Sequence, residues 1–377
     1  MSAGTVANDE FVAPAYGRRS LADVVPAIAH ALNLGGLATP TELELPDASA
    51  YVVFLVDGLG ANVLRRYAHA APYLSSLLTE PGTAGVPSTT ATSLTSFGTG
   101  LAPGSHGLVG YTSRIPGTDR LLNALQWSKD VDPHEWQPNR TTFQSLREAG
   151  TPVAVINKRE YAGSGLTEAA HRGAEFIGAD KVGERIAAAS IASAERGSIT
   201  YLYDGDLDWT GHRHGVASSP WLQQLSIIDA EAEQLRESLP PSVKLLIVAD
   251  HGMIDCGPED RTDIDALPGL RDGVALLGGE ARFRHLYCHS GAVDDVVATW
   301  RETLGEKADV LTREEAITAG WFGPVVPQVL PRLGDIVVAS RGTYAVMSSV
   351  SFPYETTLVG LHGSLTADEM LIPILLD

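Results

Sequence analysis

The nonapeptide LLIVADHGM, from Leu245 to Met253, is the most informative stretch of this 377-residue chain. Its apolar run predicts a strand that is buried on both faces, as strands of parallel sheets are. Neighbouring residues of a strand point to opposite faces, so Asp250 and His251 can serve one centre only if the chain turns there, which Gly252 permits. Open α/β sheets place their sites at such strand ends. The alternative is an ordinary strand end with a capping carboxylate.

The composition is that of a soluble globular chain, and its length allows one large α/β domain or two smaller ones. No apolar run approaches the roughly 20 residues that cross a bilayer. Residues Met1 to Ala15 lack the basic start and apolar segment of a signal peptide. The two cysteines, Cys256 and Cys288, fit a reducing compartment. We therefore expect a cytoplasmic protein with no membrane partner.

The formal net charge of the chain is −19. A charge of this sign argues against a nucleic-acid polymer as an electrostatically held partner. It would also repel an anionic small molecule. A site for such a molecule would need a local source of positive charge, and bound divalent metal is the obvious candidate.

A second stretch repeats the pattern of a buried strand followed by Asp and Gly. The apolar residues from Tyr51 to Val56 predict a strand, and Asp57-Gly58 follows it directly. Asp57 is a candidate for the same centre as Asp250. It could equally cap the helix that is predicted from Ala61 to Tyr67.

A run of hydroxyl side chains follows Pro87, with apolar residues at helical spacing behind it. A hydroxyl at a helix N-terminus gains from unpaired N–H groups and from the positive end of the helix dipole, which suits a nucleophile. A Ser/Thr cap on an ordinary helix is the alternative. The residues alone do not choose among Ser88, Thr89, Thr90 and Thr92. The glycine-rich stretch that follows could fold over a site.

Two later stretches carry more carboxylate and imidazole side chains. A strand predicted from Ser198 to Tyr203 leads into an acidic segment. There Asp208 and His212 stand four residues apart, which places them on one side of a helical turn. His362 lies in a glycine-flanked loop near the end of the chain. A solvated acidic loop and a histidine in a turn are the alternative interpretations.

The pattern changes after His251, where the predicted elements become short and mixed. They comprise a hairpin around Gly278-Gly279, whose strands are predicted at Val274 to Leu277 and Ala281 to Cys288. A helix from Val293 to Leu304 and a strand from Asp335 to Ala339 follow. We therefore predict a single domain over residues 1–377, with a smaller α+β cap inserted at approximately 255–355.

Together these stretches supply three carboxylates and three imidazoles. Such a mixture of oxygen and nitrogen ligands suits two Zn²⁺ ions at neighbouring sites, with Mn²⁺ as the alternative metal. The six candidate ligands are Asp57, Asp208, His212, Asp250, His251 and His362.

Through these residues and the motifs around them, the sequence resembles the alkaline phosphatase superfamily and, within it, the type I phosphodiesterase/nucleotide pyrophosphatase family. The matching motifs follow the family's order over residues 52–377. They are Val56-Asp57-Gly58, Pro87-x-x-Thr90, Ser105-His106-Gly107, Asp208-x-x-Gly211-His212, Ala249-Asp250-His251-Gly252-Met253 and Leu361-His362-Gly363.

The resemblance implies an alkaline-phosphatase-like α/β fold. A largely parallel central sheet is flanked by helices, and the cap is inserted between the last two motifs. It also implies a catalytic domain that hydrolyses small-molecule phosphate esters, with phosphodiesters preferred. The nucleophile that it implies is Thr90, which would form a covalent phospho-threonine intermediate.

The resemblance also implies how the metal ligands are divided. One Zn²⁺ would be held by the residues that match Asp208, His212 and His362. The other would be held by those that match Asp57, Asp250 and His251, with Thr90 as a further ligand. Bound metal would lower the pKa of the nucleophile's hydroxyl and offset the negative charge of the chain.

Two departures from the family pattern bear on the substrate. The family usually has a larger residue and then Pro-Asn-His after the nucleophile, where this chain has Ala91-Thr92-Ser93-Leu94. Tyr111 stands where nucleotide-cleaving members carry an Asn that binds a phosphoryl oxygen. Tyr111 could donate a hydrogen bond to that oxygen, stack on the leaving group or pack the loop. The implied fold, metals and reaction type survive these departures.

Other proteins of the same fold remain alternatives. They are a phosphomonoesterase, a phosphonate hydrolase and a metal-dependent phosphosugar mutase, whose nucleophile is usually a Ser in another context. A non-catalytic phosphate-binding relative would lack a ligand or the hydroxyl, and none is missing here.

Overall fold

The computed structural model describes residues 10–267 and 269–377. The prediction that no signal peptide is present rests partly on residues 1–9, which lie outside the described residues. The longer strands are β1 (Ala50–Val56), β2 (Val153–Asn157), β3 (Glu175–Gly178), β4 (Ile199–Asp204), β5 (Val243–Val248), β6 (Val274–Glu280), β7 (Phe283–Cys288), β8 (Ala308–Thr312), β9 (Ile336–Ser340) and β10 (Ile374–Leu376). Shorter strands are Gly82–Thr83, Thr112–Arg114, Leu121–Asn123, Ile254–Asp255, Arg261–Asp263, Ala345–Met347, Gly360–Leu361 and Leu371–Ile372.

The helices pack on the central sheet and on a second, smaller sheet that these strands form. They are α1 (Val24–Ala31), α2 (Ala61–Arg66), α3 (Pro72–Ser76), α4 (Thr90–Thr99), α5 (Pro103–His106), α6 (Pro133–Trp136), α7 (Thr142–Glu148), α8 (Gly165–His171), α9 (Val182–Ala192), α10 (Asp206–His214), α11 (Ser219–Ser238), α12 (Val293–Leu304), α13 (Arg313–Thr318) and α14 (Ala367–Met370). Short 3-10 turns lie at Leu21–Asp23, Gly35–Leu37, Ala68–Ala70, Arg159–Tyr161, Pro258–Asp260, Gly305–Lys307, Leu330–Arg332 and Pro353–Thr357.

The central sheet has six strands in the order β10-β5-β1-β4-β2-β3, and only β10 runs antiparallel to its neighbour. All seven residues of β1 are buried, as a strand requires when helices cover both faces. The predicted α/β class with a largely parallel sheet is therefore confirmed. The register sets Val56 beside Asp204 and Leu55 beside Val248. The residues that follow β1, β4 and β5 consequently meet at one edge of the sheet.

Helix α11 packs on this sheet through a single apolar stripe. The buried stripe comprises Trp221, Leu225, Ile228, Ala232 and Leu235, while Leu222 is only partly buried. Trp221 precedes Leu225 by four residues and so extends the same helical face. Within the described residues, no helix is both long enough and apolar enough to cross a membrane.

A second sheet lies inside the range that was predicted for the cap. Its four strands are antiparallel and run in the order β6-β7-β9-β8. One face packs with α12 in a separate apolar cluster that includes Leu286 and Val338. The other face, which includes Phe283 and Val337, joins the main core. The sheet is thus anchored to the body of the molecule, and its status as an inserted subdomain stays a prediction.

The β6–β7 hairpin turns later than predicted. The turn was expected at Gly278-Gly279, but β6 continues through both glycines and the chain reverses at Ala281-Arg282. A Cβ on Gly279 would lie 2.1 Å from the carbonyl oxygen of Phe283, so glycine here permits close approach of the two strands rather than a turn. This shift places Glu280 and Arg282 at the tip of the hairpin.

Helix α4 approaches α8 closely because Gly98 has no side chain. A Cβ at Gly98 would lie 1.8 Å from the carbonyl oxygen of Ala170. We predict that Gly98→Ala lowers the free energy of unfolding by about 1–3 kcal/mol or more. Gly183 in α9 is the control, because a Cβ there meets nothing within 4 Å. Gly183→Ala should be neutral or stabilising by about 0.5–1 kcal/mol. Urea denaturation of both variants tests this, and equal effects would contradict it.

Candidate metal centre

Two loops at the edge of the central sheet bring Asp57, Asp250 and His251 together. The chain turns sharply after β1 at Gly58, whose φ is +76°. The Gly58 N–H donates to Asp250 Oδ1 at 3.1 Å, and the His251 N–H donates to the same oxygen at 2.9 Å. His251 Nε2 lies 3.3 Å from Asp57 Oδ1 and 3.5 Å from Asp250 Oδ2. Asp57 does not cap α2, because the N-cap residue of that helix is Gly60.

The remaining predicted ligands lie beside this group. Asp208 and His212 occupy one face of α10, with His212 Nε2 3.4 Å from Asp208 Oδ2, as the spacing predicted. His362 Nε2 lies 3.2 Å from His212 Nε2 and 3.7 Å from Asp208 Oδ1. The structure therefore brings all six predicted ligands to one place.

His251 connects the two groups of ligands. Its ring stacks on that of His362 with the centroids 3.7 Å apart. The ligand atoms of Asp208, His251 and His362 lie within 4.8 Å of one another, as do those of Asp57, Asp250 and His251. The sequence did not predict this central position of His251, which lies close enough to serve either group.

The three imidazoles share one orientation. Each Nδ1 faces a backbone carbonyl: His212 that of Gly360 at 2.7 Å, His251 that of Gly252 at 2.9 Å, and His362 that of Ser88 at 2.9 Å. A carbonyl only accepts hydrogen bonds, so each Nδ1 carries the proton. Each Nε2 then presents a lone pair toward the cluster, which is the arrangement that metal-binding histidines adopt.

The carboxylates of the centre are incompletely paired, although Asp57 and Asp250 are buried and Asp208 is largely shielded. One oxygen of each finds no hydrogen bond among the described residues: Asp57 Oδ1, Asp208 Oδ1 and Asp250 Oδ2. Burial, followed by the charges of Asp250 and Asp208, raises the pKa of Asp57 well above its usual range. Buried polar atoms normally have hydrogen-bond or metal partners, so these three oxygens indicate a site for a further partner. Buried carboxylates next to neutral imidazoles with free lone pairs fit divalent cations.

Thr90 is the hydroxyl that the fold brings to the candidate metal ligands. It is the first residue of α4, and its Oγ1 lies 3.2 Å from His251 Nε2 and 3.4 Å from Asp57 Oδ2. Ser88 Oγ is engaged elsewhere, because it donates to the carbonyl of Ser364 at 2.6 Å. Thr92 Oγ1 has no hydrogen-bond partner in the part of the chain that the structure describes. The geometry thus separates Thr90 from Ser88 and Thr92, which the residues alone could not.

Sequence reasoning missed Tyr203, which belongs to this centre. The Tyr203 hydroxyl donates to Asp57 Oδ2 from the end of β4. Burial raises the pKa of Tyr203 well above its usual range, so the hydroxyl stays a donor. Its position could have indicated this role. Tyr203 is the second-last residue of a predicted buried strand, and Asp57 and Asp250 were expected at the edge of the sheet where that strand ends.

Tyr111 is held by contacts outside the ligand cluster. Its N–H donates to Glu280 Oε2 at 2.8 Å, and its carbonyl accepts the Ala124 N–H at 2.9 Å. These contacts anchor the glycine-rich loop to β6 and to a neighbouring hairpin. The predicted role of Tyr111 in substrate binding stays a prediction.

The Ser105-His106-Gly107 motif supports the same loop. His106 is buried, with Nε2 2.9 Å from Ser96 Oγ and Nδ1 accepting from the Leu108 N–H at 3.1 Å. Burial lowers the pKa of His106 to about 3. This neutral histidine ties the loop to α4, the helix that begins with Thr90.

The centre can now be compared with known proteins. The family Type I phosphodiesterase / nucleotide pyrophosphatase matches residues 51–365. Venom phosphodiesterase 2 from Crotalus adamanteus is 28% identical over 223 residues, which cover 55% of this chain and 27% of the snake protein. Venom phosphodiesterase CdcPDE from Crotalus durissus collilineatus is 28% identical over 223 residues, 55% of this chain and 26% of its own length. The chain thus spans about a quarter of the length of these curated relatives.

Solved structures show the same fold. Murine ectonucleotide pyrophosphatase/phosphodiesterase 5, as an inactive threonine-to-alanine variant in complex with AMP, aligns with a TM-score of 0.67 at 17% identity, covering 86% of this chain and 87% of that chain. The human protein of the same name gives 0.65 at 17% identity with the same coverage. The predicted alkaline-phosphatase-like architecture is confirmed. Because the family match extends over most of the chain, the chain belongs to the type I phosphodiesterase/nucleotide pyrophosphatase family.

Proposed function

We propose that this chain is a metal-dependent phosphodiesterase that works through a covalent phospho-threonine at Thr90. The observation that carries the proposal is the place of the Thr90 hydroxyl. It stands at the first residue of α4, within 3.4 Å of both His251 Nε2 and Asp57 Oδ2. A nucleophile next to metal ligands and at a helix N-terminus has both the activation and the anion stabilisation that attack on phosphorus needs.

Two divalent ions are part of the proposal, with Zn²⁺ preferred and Mn²⁺ as the alternative. Asp208, His212 and His362 would hold one of them. Asp57, Asp250, His251 and Thr90 would hold the other. When bound, the ions would lower the pKa of the Thr90 hydroxyl, and their charge of about +4 against three carboxylates would leave the pocket near +1 for an anionic substrate.

The residues of the chain would then act in two displacements. In the first, Thr90 Oγ1 attacks phosphorus, the P–O bond to the leaving alcohol breaks, and that oxygen departs with the electron pair. In the second, water attacks the phosphorus of phospho-threonine and Thr90 Oγ1 leaves. The free N–H groups at the start of α4 face the charge that develops on the phosphoryl oxygens. Tyr203 holds Asp57 in place through its hydroxyl.

Relatives support a hydrolase of this kind. The matched venom proteins are named phosphodiesterases, and the murine structure with AMP is of a threonine-to-alanine variant called inactive. The match covers about a quarter of the venom proteins, so the substrates of this chain are inferred from its own site. Tyr111 stands where the resemblance expects Asn, which leaves the leaving group open. The cytoplasmic location and the lack of a nucleic-acid polymer partner stay predictions.

Substrate preference separates the diesterase from the monoesterase alternative. A bis-aryl phosphate and a mono-aryl phosphate with the same leaving group should be assayed on one metal-loaded sample. The proposal expects the larger kcat/KM for the diester. A preference for the monoester would assign the chain to the phosphomonoesterase alternative instead.

We predict that the purified protein contains close to two Zn²⁺ per chain and loses both metal and activity to a chelator. Acidification should also release metal, because the three imidazoles must be neutral to bind it. Burial, followed by the charges of His251 and His212, lowers the pKa of His362 well below its usual range, so protonation of His362 does not limit metal binding near neutral pH. Metal content and activity should therefore rise together from about pH 6. Full activity in a metal-free sample, or an optimum near pH 5, would contradict the proposal.

We predict that Thr90→Ala lowers kcat by at least about a thousandfold, because it removes the attacking oxygen. The variant should keep metal at the site of Asp208, His212 and His362, which metal analysis measures. Thr92→Val is the matched control on the same helix, because the buried Thr92 hydroxyl has no hydrogen-bond partner among the described residues. It should keep the parental kcat. The opposite result for the two variants would show that the nucleophile is wrongly assigned.

A further inference from the structure

Arg282 and Glu369 form a fully buried ion pair outside the ligand cluster. Both side chains are 0% exposed. The pair is bidentate, with Arg282 Nε 2.7 Å from Glu369 Oε1 and Arg282 Nη2 2.8 Å from Glu369 Oε2. Arg282 lies at the tip of the β6–β7 hairpin, and Glu369 lies in α14. The pair therefore joins the second sheet to the end of the chain.

Glu369 shapes the segment that follows His362. Its Oε1 also accepts the N–H of Ser364 at 2.9 Å, and its Oε2 accepts the Thr366 hydroxyl at 2.5 Å. Ser364 is two residues after His362. The carboxylate thus braces residues 363–370, the segment that directly follows the candidate ligand His362.

The same segment meets the other ligand loops through its backbone. The Glu369 carbonyl accepts the N–H of Gly252, the residue after His251, at 2.8 Å. A Cβ on Gly252 would lie 2.0 Å from the Asp368 carbonyl oxygen, and a Cβ on Gly60, three residues after Asp57, would lie 2.8 Å from it. Such close contact leaves little freedom for the His251 loop to move independently of residues 363–370.

On its other side, Arg282 is fixed by backbone carbonyls. It donates through Nη1 to Tyr344 and through Nη2 to Gly342, the latter at 2.9 Å. These bonds hold the guanidinium in the plane that the bidentate contact with Glu369 requires. The fixed guanidinium of Arg282 in the second sheet thereby positions residues 363–370 beside the metal centre.

We propose that Arg282 is a positioning residue for the metal centre, acting through Glu369 on the loops of His251 and His362. The inference rests on the metal centre of the proposed function. Buried ion pairs give little net stability relative to apolar side chains of similar volume, so stability alone does not account for this one. Groups that orient metal ligands from outside typically change metal affinity 10–100-fold when they are replaced.

The test is the Zn²⁺ dissociation constant, measured by competition with a chromophoric chelator, together with the thermal unfolding midpoint. Arg282→Met should weaken Zn²⁺ binding about 10- to 100-fold. Arg284→Met is the matched control: Arg284 lies in the same hairpin, is equally buried and pairs with the buried Glu355. The control should lose stability but keep the parental Zn²⁺ affinity.

Two further variants separate positioning from folding. In Arg282→Met/Glu369→Met no buried charge is left unpaired, so stability should recover. Affinity should stay low, because the Ser364 N–H and the Thr366 hydroxyl lose their acceptor. Arg282→Lys keeps the charge but loses the planar fork, so it should fold and still bind Zn²⁺ more weakly.

The outcomes distinguish this inference from the proposed function. Parental affinity in Arg282→Met or Arg282→Lys, recovered affinity in the double variant, or an equal loss in Arg284→Met would overturn the positioning role while the metal centre stands. A parental chain that binds no Zn²⁺ would instead overturn the proposed function, and this inference with it.

Discussion

The structure depends on the confinement of three carboxylates and three imidazoles at one edge of a buried parallel sheet. Burial and mutual repulsion raise the pKa of Asp57 well above its usual range, so the fold places this carboxyl where its charged form is unfavourable. Backbone carbonyls orient all three imidazoles with Nε2 toward the same space. The arrangement is costly for a purely structural cluster, and divalent cations would offset that cost.

Packing around the ligands explains why the sequence motifs extend beyond them. Met253, two residues after His251, fills the space left by two glycines. A Cβ added to Gly211 would lie 2.4 Å from the Met253 sulfur, and a Cβ added to Gly360 would lie 2.5 Å from it. Gly211 directly precedes His212, and the carbonyl of Gly360 accepts a hydrogen bond from Nδ1 of that imidazole. One thioether thus sets the spacing between α10 and the strand that leads to His362. The Arg282–Glu369 pair adds a second constraint, on the segment that follows His362.

Sequence reasoning could predict what depends on local pattern. Buried strand runs ending in Asp fixed the edge where Asp57 and Asp250 meet, and the four-residue spacing predicted that Asp208 and His212 share a helix face. Long-range contacts lay beyond it. Nothing local distinguishes Thr90 from Thr92, because both stand in one hydroxyl run and only tertiary packing brings one of them to His251. The Arg282–Glu369 pair joins residues 87 apart in sequence, and the hairpin turn was misplaced because glycine serves close strand approach as well as turns.

The stereochemical course at phosphorus tests the central claim most directly. A chiral phosphorothioate diester can be hydrolysed in isotopically labelled water by the metal-loaded protein, and the configuration of the product determined. Two in-line displacements, through Thr90 and then water, invert phosphorus twice, so the account predicts net retention. Net inversion would mean that water attacks the substrate directly, and it would contradict a covalent intermediate on Thr90.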